Sequence, residues 1–271
     1  MTRTLTLVVV TIVKDDCDAF AKTLESIRVQ NQTIRHVVVD GSSSEENKKL
    51  IAASSGDAGS IYRFQSAKGI YSAMNHGLDE CRDDELVLFL NAGDCFANSE
   101  SASQVVADSS NDGVDFLIYP CIFGESNGFI PSVEGATAKN VARGKALVCH
   151  QGVVATAGLI RQAGAFDETY SISADHKLLL SLLQISKVTL SSIPLAVVSL
   201  GGVSDTNCGA LVRENSRARA ETGLAFESRV ADKSYAFVRL TRCKAKLSLR
   251  KTLKLFGLSG LTFQRLIHRN R

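Results

Sequence analysis

The chain lacks any apolar run of the roughly 18–20 residues that a membrane-spanning helix needs, which excludes a spanning segment. It lacks a CxxC pair. Its seven cysteines are odd in number and widely spaced, which argues against a disulfide framework and against a zinc site and fits a reducing cytoplasm. It has no GxGxxG after its first strand-like run. That turn reads Val13-Lys14-Asp15-Asp16-Cys17-Asp18, with no glycine and three acids, so a dinucleotide pyrophosphate has no seat there. No internal repeat and no low-complexity linker interrupts the 271 residues.

What is present is a core-forming chain, 45% apolar, long enough for one large domain with an appendage. The start, Leu5 to Val13, reads as a first strand rather than a signal peptide, because no small-residue cleavage site follows it. Strand-like and helix-like segments then alternate. Cys17, Phe20, Ala21, Leu24 and Ile27 recur at helical spacing. Val37–Val39 is a buried strand ending at Asp40-Gly41. A helix starts at Ser44 with acids in its first turn, and Ile61–Phe64 is a strand. Gly69–Cys81 is a helix, Leu86–Leu90 a strand, Ser99–Asp108 a helix and Phe116–Phe123 a strand. Further on, Leu147–Cys149 and Val153–Ala155 read as short strands around His150, and Ala174–Gln184 as a helix. Val188–Leu190 and Leu195–Leu200 close the pattern. This order predicts an α/β fold with a mostly parallel central sheet flanked by helices.

Charge divides the chain. From Arg229 to Arg271 there are twelve Lys and Arg against one acid, Asp232, so the body is acidic and the tail basic. Two readings of the tail stand side by side. Its apolar positions, among them Phe237, Leu240 and Leu247, either meet an anionic membrane surface or pack on the chain's own body. Few aromatics and no recognised motif argue against nucleic acid.

In a parallel sheet, strand ends share one edge, where ligand sites form. Asp40 and Asp94 close two strands, and Asp175 follows Ser173-Ala174. Singly, Asp40 reads as a turn residue and Asp94 and Asp175 as helix caps; together they suggest a site. His150 is either a hydrogen-bonded structural residue or part of that site. His36 and His268 read as surface residues.

At Val10-Thr11-Ile12-Val13-Lys14, Val39-Asp40-Gly41-Ser42-Ser43, Lys68-Gly69-Ile70-Tyr71, Ala73-Met74-Asn75, Phe89-Leu90-Asn91-Ala92-Gly93-Asp94, Cys149-His150-Gln151, Ser173-Ala174-Asp175 and Gly201-Gly202-Val203-Ser204, the chain resembles family 2 glycosyltransferases of the GT-A fold. It is most similar to the bacterial polysaccharide (colanic-acid-type) branch. The resemblance implies a catalytic domain over 1–206 and a basic helical extension over 207–271. It implies inverting, metal-dependent transfer from a nucleotide-diphospho-sugar, UDP- or GDP-linked, to a glycan or polyprenyl-linked acceptor. The setting it implies is the cytoplasm, peripheral to the inner face of the membrane. Asp175 would be the catalytic base. Thr11, Asp40, Lys68, Gly69, Asn75 and Asn91 would border the nucleotide-sugar. Asp94 would hold Mg²⁺ or Mn²⁺, a Lewis acid for the departing diphosphate. His150, Gln151 and Gly202 would lie near the sugar or acceptor. Ala67, Ser72, Glu45, Asp15 and His176 depart from the family pattern, and Ala67 removes a charge near the diphosphate. A sugar-nucleotidyltransferase and a non-catalytic membrane scaffold are the alternatives.

Overall fold

A computed structural model describes residues 6–66, 68–110, 114–124, 128–199 and 207–255. The first strand, β1 (Leu7–Val13), is buried along its whole length, as a central strand covered on both faces must be. Helix α1 (Cys17–Arg28) starts at Asp16, whose side chain accepts from the Ala19 amide. There follow β2 (Ile34–Asp40), α2 (Glu45–Asp57) capped by Ser44, and β3 (Ile61–Phe64). Next come α3 (Ile70–Asp79), β4 (Leu86–Phe89), β5 (Cys95–Phe96) and α4 (Ser101–Ser109). Then β6 (Phe116–Ile118), β7 (Cys121–Phe123) and α5 (Ala138–Ala142) lead to a 3-10 turn, His150–Gly152. The chain continues through β8 (Val153–Thr156), α6 (Ala157–Gln162), α7 (Ala174–Ile185), β9 (Thr189–Leu190) and β10 (Ala196–Val198). It ends in α8 (Cys208–Glu221) and α9 (Arg229–Leu255).

Seven strands form the main sheet in the order β3-β2-β1-β4-β8-β6-β9. The β3-β2, β2-β1, β1-β4 and β6-β9 pairs are parallel, while β8 runs antiparallel to both neighbours. The order reverses direction around β1, so the ends of β1, β2 and β4 share one edge, as a ligand-binding α/β sheet requires. A small second sheet, β5-β10-β7, lies beside it. Helix α3 presses closely on β1. A Cβ at Gly77 would lie 2.3 Å from Val10 Cγ1, so only glycine permits that approach.

Three expectations change. Phe116–Phe123 is two strands in two sheets, divided at Pro120, which has no amide hydrogen to continue a ladder. Leu147–Cys149 is not a strand but an irregular approach to the 3-10 turn. Cys208 and Cys243 form a disulfide although no framework was expected. They stand 35 apart in sequence, and only the packing of α8 on α9 brings their Cα atoms to 5.8 Å.

The C-terminal helices join the body. Ala218 and Arg219 of α8 are buried, and Arg219 pairs with Asp232 of α9 at 2.9 Å. Lys177 of α7 pairs with Glu221 of α8. Packing on the chain's own body therefore accounts for α8 and the start of α9. Val230, Phe237 and Val238 of α9 stay exposed. Among the described residues no helix is long and apolar enough to cross a membrane. Gly202, like His268, lies outside the described residues.

Candidate active site

The site is a chain of polar contacts joining the end of β4, the 3-10 turn and the first turn of α7. Asn91 Nδ2 lies 3.3 Å from His150 Nε2, and His150 Nδ1 lies 3.5 Å from Asp175 Oδ2. Tyr71 of α3 donates its hydroxyl to Asp175 Oδ1 at 3.0 Å. Beside them, Gln151 Nε2 donates to Asp94 Oδ2 at 2.7 Å, and the Ser199 amide donates to Asp94 Oδ1 at 3.0 Å. The two segments that the sequence separates by 57 residues thus interlock, His150 with Asn91 and Gln151 with Asp94. Gly152 makes this possible: a Cβ there would come within 2.2 Å of the Tyr119 carbonyl oxygen.

Charges set the protonation of this chain. Burial alone would lower the His150 pKa, but its bond to Asp175 and the negative charge around it outweigh burial and raise it to about 9. Burial would raise Asp175, yet the hydrogen bond and charge of His150, with lesser help from His176 and Tyr71, hold it below the ordinary carboxylate value. The pair is therefore an imidazolium with a carboxylate near neutrality. A doubly protonated imidazole needs acceptors at both nitrogens. Turning the Asn91 amide over supplies the second one and also satisfies Asn91 Oδ1, which otherwise stands buried without a partner.

A pH prediction follows. His150 has its pKa raised on folding, so its contribution to stability is complete below about 6.5 and is lost as pH rises through about 9. Asp175 has its pKa lowered, so its contribution is present above the ordinary carboxylate pKa and is lost as pH falls through its folded value. The wild-type melting temperature is expected to fall between pH 6.5 and 9 relative to His150→Gln. Parallel melting curves of the two proteins across that window would remove the ion pair.

The remaining expected site residues divide by exposure. Asp175 is 29% exposed at its side chain and reachable. Asp40 is fully buried, its oxygens taken by the Ser42 amide and the Tyr62 hydroxyl. Thr11 is also fully buried and bonds His36 at 2.9 Å, so neither lines an open pocket. His36 is a core histidine, not a surface one; burial lowers its pKa to about 4. Asn75 clasps the backbone of Phe166 through both ends of its amide and faces that loop rather than a donor. Lys68 is exposed, and Gly69 holds φ +102 at the start of α3, a value glycine adopts freely.

Asp94 does not fit the metal role as arranged. It is 5% exposed, burial raises its pKa, and both carboxylate oxygens accept hydrogen bonds from within the chain. Among the described residues no group of three His, Cys, Asp or Glu side chains could hold a metal ion. Asp94 instead ties β10 and the 3-10 turn to the end of β4.

Two residues escaped the sequence reading. Tyr71 belongs to the Lys68–Tyr71 motif, which gives it no role, and only the fold brings its hydroxyl to Asp175. Glu214 of α8 accepts from the amides of Ser171, Ile172 and Ser173 at 2.8–2.9 Å and so holds the loop that delivers Asp175. Nothing in a polar helix beyond Asn207 marks it.

Residues 8–135 match the model of Glycosyl transferase family 2. The chain is 29% identical over 187 residues to the uncharacterized glycosyltransferase Rv1514c of Mycobacterium tuberculosis, covering 66% of this chain and 70% of that one. Its fold is similar to that of TarS of S. aureus 1–349 in complex with UDP-GlcNAc, at TM-score 0.63 and 14% identity over 88% of this chain and 72% of that one. The longer TarS structure matches at TM-score 0.65 and 14% identity over 88% of this chain, which spans only 43% of it. Mannosyltransferase PcManGT of Pyrobaculum calidifontis in complex with GDP-Man and Mn²⁺ matches at TM-score 0.64 and 11% identity, over 99% of this chain and 80% of that one. The mostly parallel sheet and these likenesses give the chain the GT-A fold of glycosyltransferases, and residues 8–135 carry its match to Glycosyl transferase family 2.

Proposed function

We propose that the protein transfers a sugar, with inversion, from a UDP- or GDP-linked donor to a hydroxyl of a glycan or lipid-linked acceptor, in bacterial surface polysaccharide synthesis. The observation that carries this reading is Asp175. Of the three carboxylates singled out in the sequence it is the least buried, is ionised by His150 and is aimed by Tyr71. A base in that position takes the acceptor proton as the acceptor oxygen attacks the anomeric carbon. Direct displacement by one base inverts that carbon, by the geometric logic that separates inverting from retaining hydrolases.

The donor's diphosphate is assigned to the start of α3. The helix begins at Gly69 with no side-chain cap, so its first amides are open to an anion, and Lys68 stands exposed beside them. Asp94 leaves a metal neither carboxylate oxygen free, one accepting from Gln151 and the other from the Ser199 amide. Neighbours with UDP-GlcNAc and with GDP-Man support the donor class. The exposed Val230, Phe237 and Val238 on a basic helix support a setting at the inner membrane face. A nucleotidyltransferase fits less well. Asp15 already accepts from the Ser43 and Ser44 amides at the edge where a triphosphate would seek such donors.

A panel of UDP-, GDP-, CMP- and dTDP-sugars, read by thermal shift and by release of the free nucleotide, tests the proposal. A shift and turnover with a UDP- or GDP-sugar are expected. Silence across the panel, with and without Mn²⁺, would return the protein to a non-catalytic scaffold.

A further inference from the structure

A cavity of about 280 Å³ is lined by Asp175 and His150 of the site and by residues of the main sheet and α7. Apolar side chains form much of its wall, Phe89 from β4, Leu178 and Leu182 from α7 and Ile172 from the loop before it, with His176 of α7 among them. The C-terminal helices complete it, α8 with Leu211 and Asn215 and α9 with Arg239. Protein interiors are close-packed, with few voids larger than a water molecule. An apolar cavity of about 150 Å³ already admits benzene, so this one has room for an apolar body of about two rings.

Two lining residues carry buried polar atoms without a partner, Ser173 Oγ and Asn215 Oδ1. Ser173 is 1% exposed and, although it precedes α7, makes no cap bond. Buried polar atoms normally have partners, and each exception asks for one. A cavity lined by apolar side chains with a few polar ones among them, two unpartnered polar atoms on its lining residues and the Asp175 carboxylate in its wall has the pattern of a small-molecule site. A carbohydrate chain suits it poorly, since its many hydroxyls would leave water for hydrocarbon walls.

We propose that this cavity is the acceptor subsite and that it takes the apolar, ring-bearing body of an amphiphilic alcohol whose reacting hydroxyl rests at Asp175. This rests on the transferase reading above and narrows its acceptor from any glycan to an amphiphile. In the transfer, the acceptor O–H gives its proton to Asp175 and the acceptor oxygen bonds the anomeric carbon. The bond from that carbon to the diphosphate oxygen breaks, and the nucleoside diphosphate leaves with the electron pair. A second hydroxyl on the body meets Asn215 Oδ1 or Ser173 Oγ.

The chain contains no tryptophan, so the fluorescence of a naphthalene probe can be followed directly. The probe is 2,6-naphthalenediol, titrated into the full chain, into Ala146→Leu and into Val148→Phe, each of which fills one wall of the cavity. Saturable binding to the wild type is expected, weakened by about tenfold or more in both filled variants, the loss that follows when an apolar body is kept in water. Methyl glucoside is expected not to displace the diol. Thermal shift with UDP, run on all three proteins, reports separately on the donor side. Equal diol binding in all three folded proteins, no diol binding to the wild type, or displacement by methyl glucoside each overturns the proposed subsite. A wild type that binds the diol but gives no shift with any nucleotide overturns the transferase reading and with it the acceptor role, leaving only a hydrophobic cavity.

Discussion

Asp175→Asn is expected to lower kcat by about 10²–10⁴-fold, the usual contribution of a positioned base, with the KM for the donor staying near the wild-type value. Asparagine keeps the shape and still accepts from Tyr71 at one oxygen, so the loop held by Glu214 has no reason to move. What disappears is the capacity to take a proton near neutrality and the negative partner of His150. The His150 pKa is expected to fall toward the ordinary histidine range in the same variant, which NMR titration of the imidazole would report. Paired kinetics and titration make the test sharp. A low kcat with an unmoved His150 would mean a perturbed fold, and full activity would mean that another group is the base.

Asp94→Ala is expected to act on the fold first. The side chain removed accepts from Gln151 Nε2 and from the Ser199 amide in a site that is 5% exposed. Each buried donor left without an acceptor costs about 1–3 kcal/mol, so the loss is on the order of 2–6 kcal/mol. At roughly 2–4 °C per kcal/mol for a chain of this class, the melting temperature drops by about 5 °C or more. The measurement is a melt in EDTA beside one in Mn²⁺. A residue whose only work was to hold a metal would leave the metal-free melting temperature where it was. The expected drop is present in EDTA and is not restored by Mn²⁺.

The parts of the fold that showed in the sequence are those with strong local periodicity. β1, β4 and α1 are runs whose burial follows directly from residue type. The irregular second half showed poorly, because β5, β9 and α5 are two to five residues long and are fixed by neighbours rather than by their own pattern. The site divided the same way. Strand-end position places Asn91 and Asp94 at the edge, whereas only the resemblance singles out the Cys149-His150-Gln151 segment. Which carboxylate is least buried is a matter of packing: Tyr62 closes Asp40, Gln151 closes Asp94, and Asp175, although held by Tyr71 and His150, keeps 29% of its side chain exposed. Thr11 shows the limit most plainly. It sits on the expected strand, but its side chain turns to His36 inside the molecule, and only a register across two strands reveals that direction.

The hold of Glu214 on the Asp175 loop bears on how such enzymes can be recombined. The C-terminal helices look detachable, a basic segment that one would graft from one transferase to another to change where the enzyme docks. Here the graft would carry off the carboxylate that fixes three successive amides ahead of the base, together with the Asn215 and Arg239 walls of the cavity. The site loop and the C-terminal helices thus form one block, and a chimera joined near residue 206 keeps that loop's geometry only if the incoming helix brings its own acceptor to it.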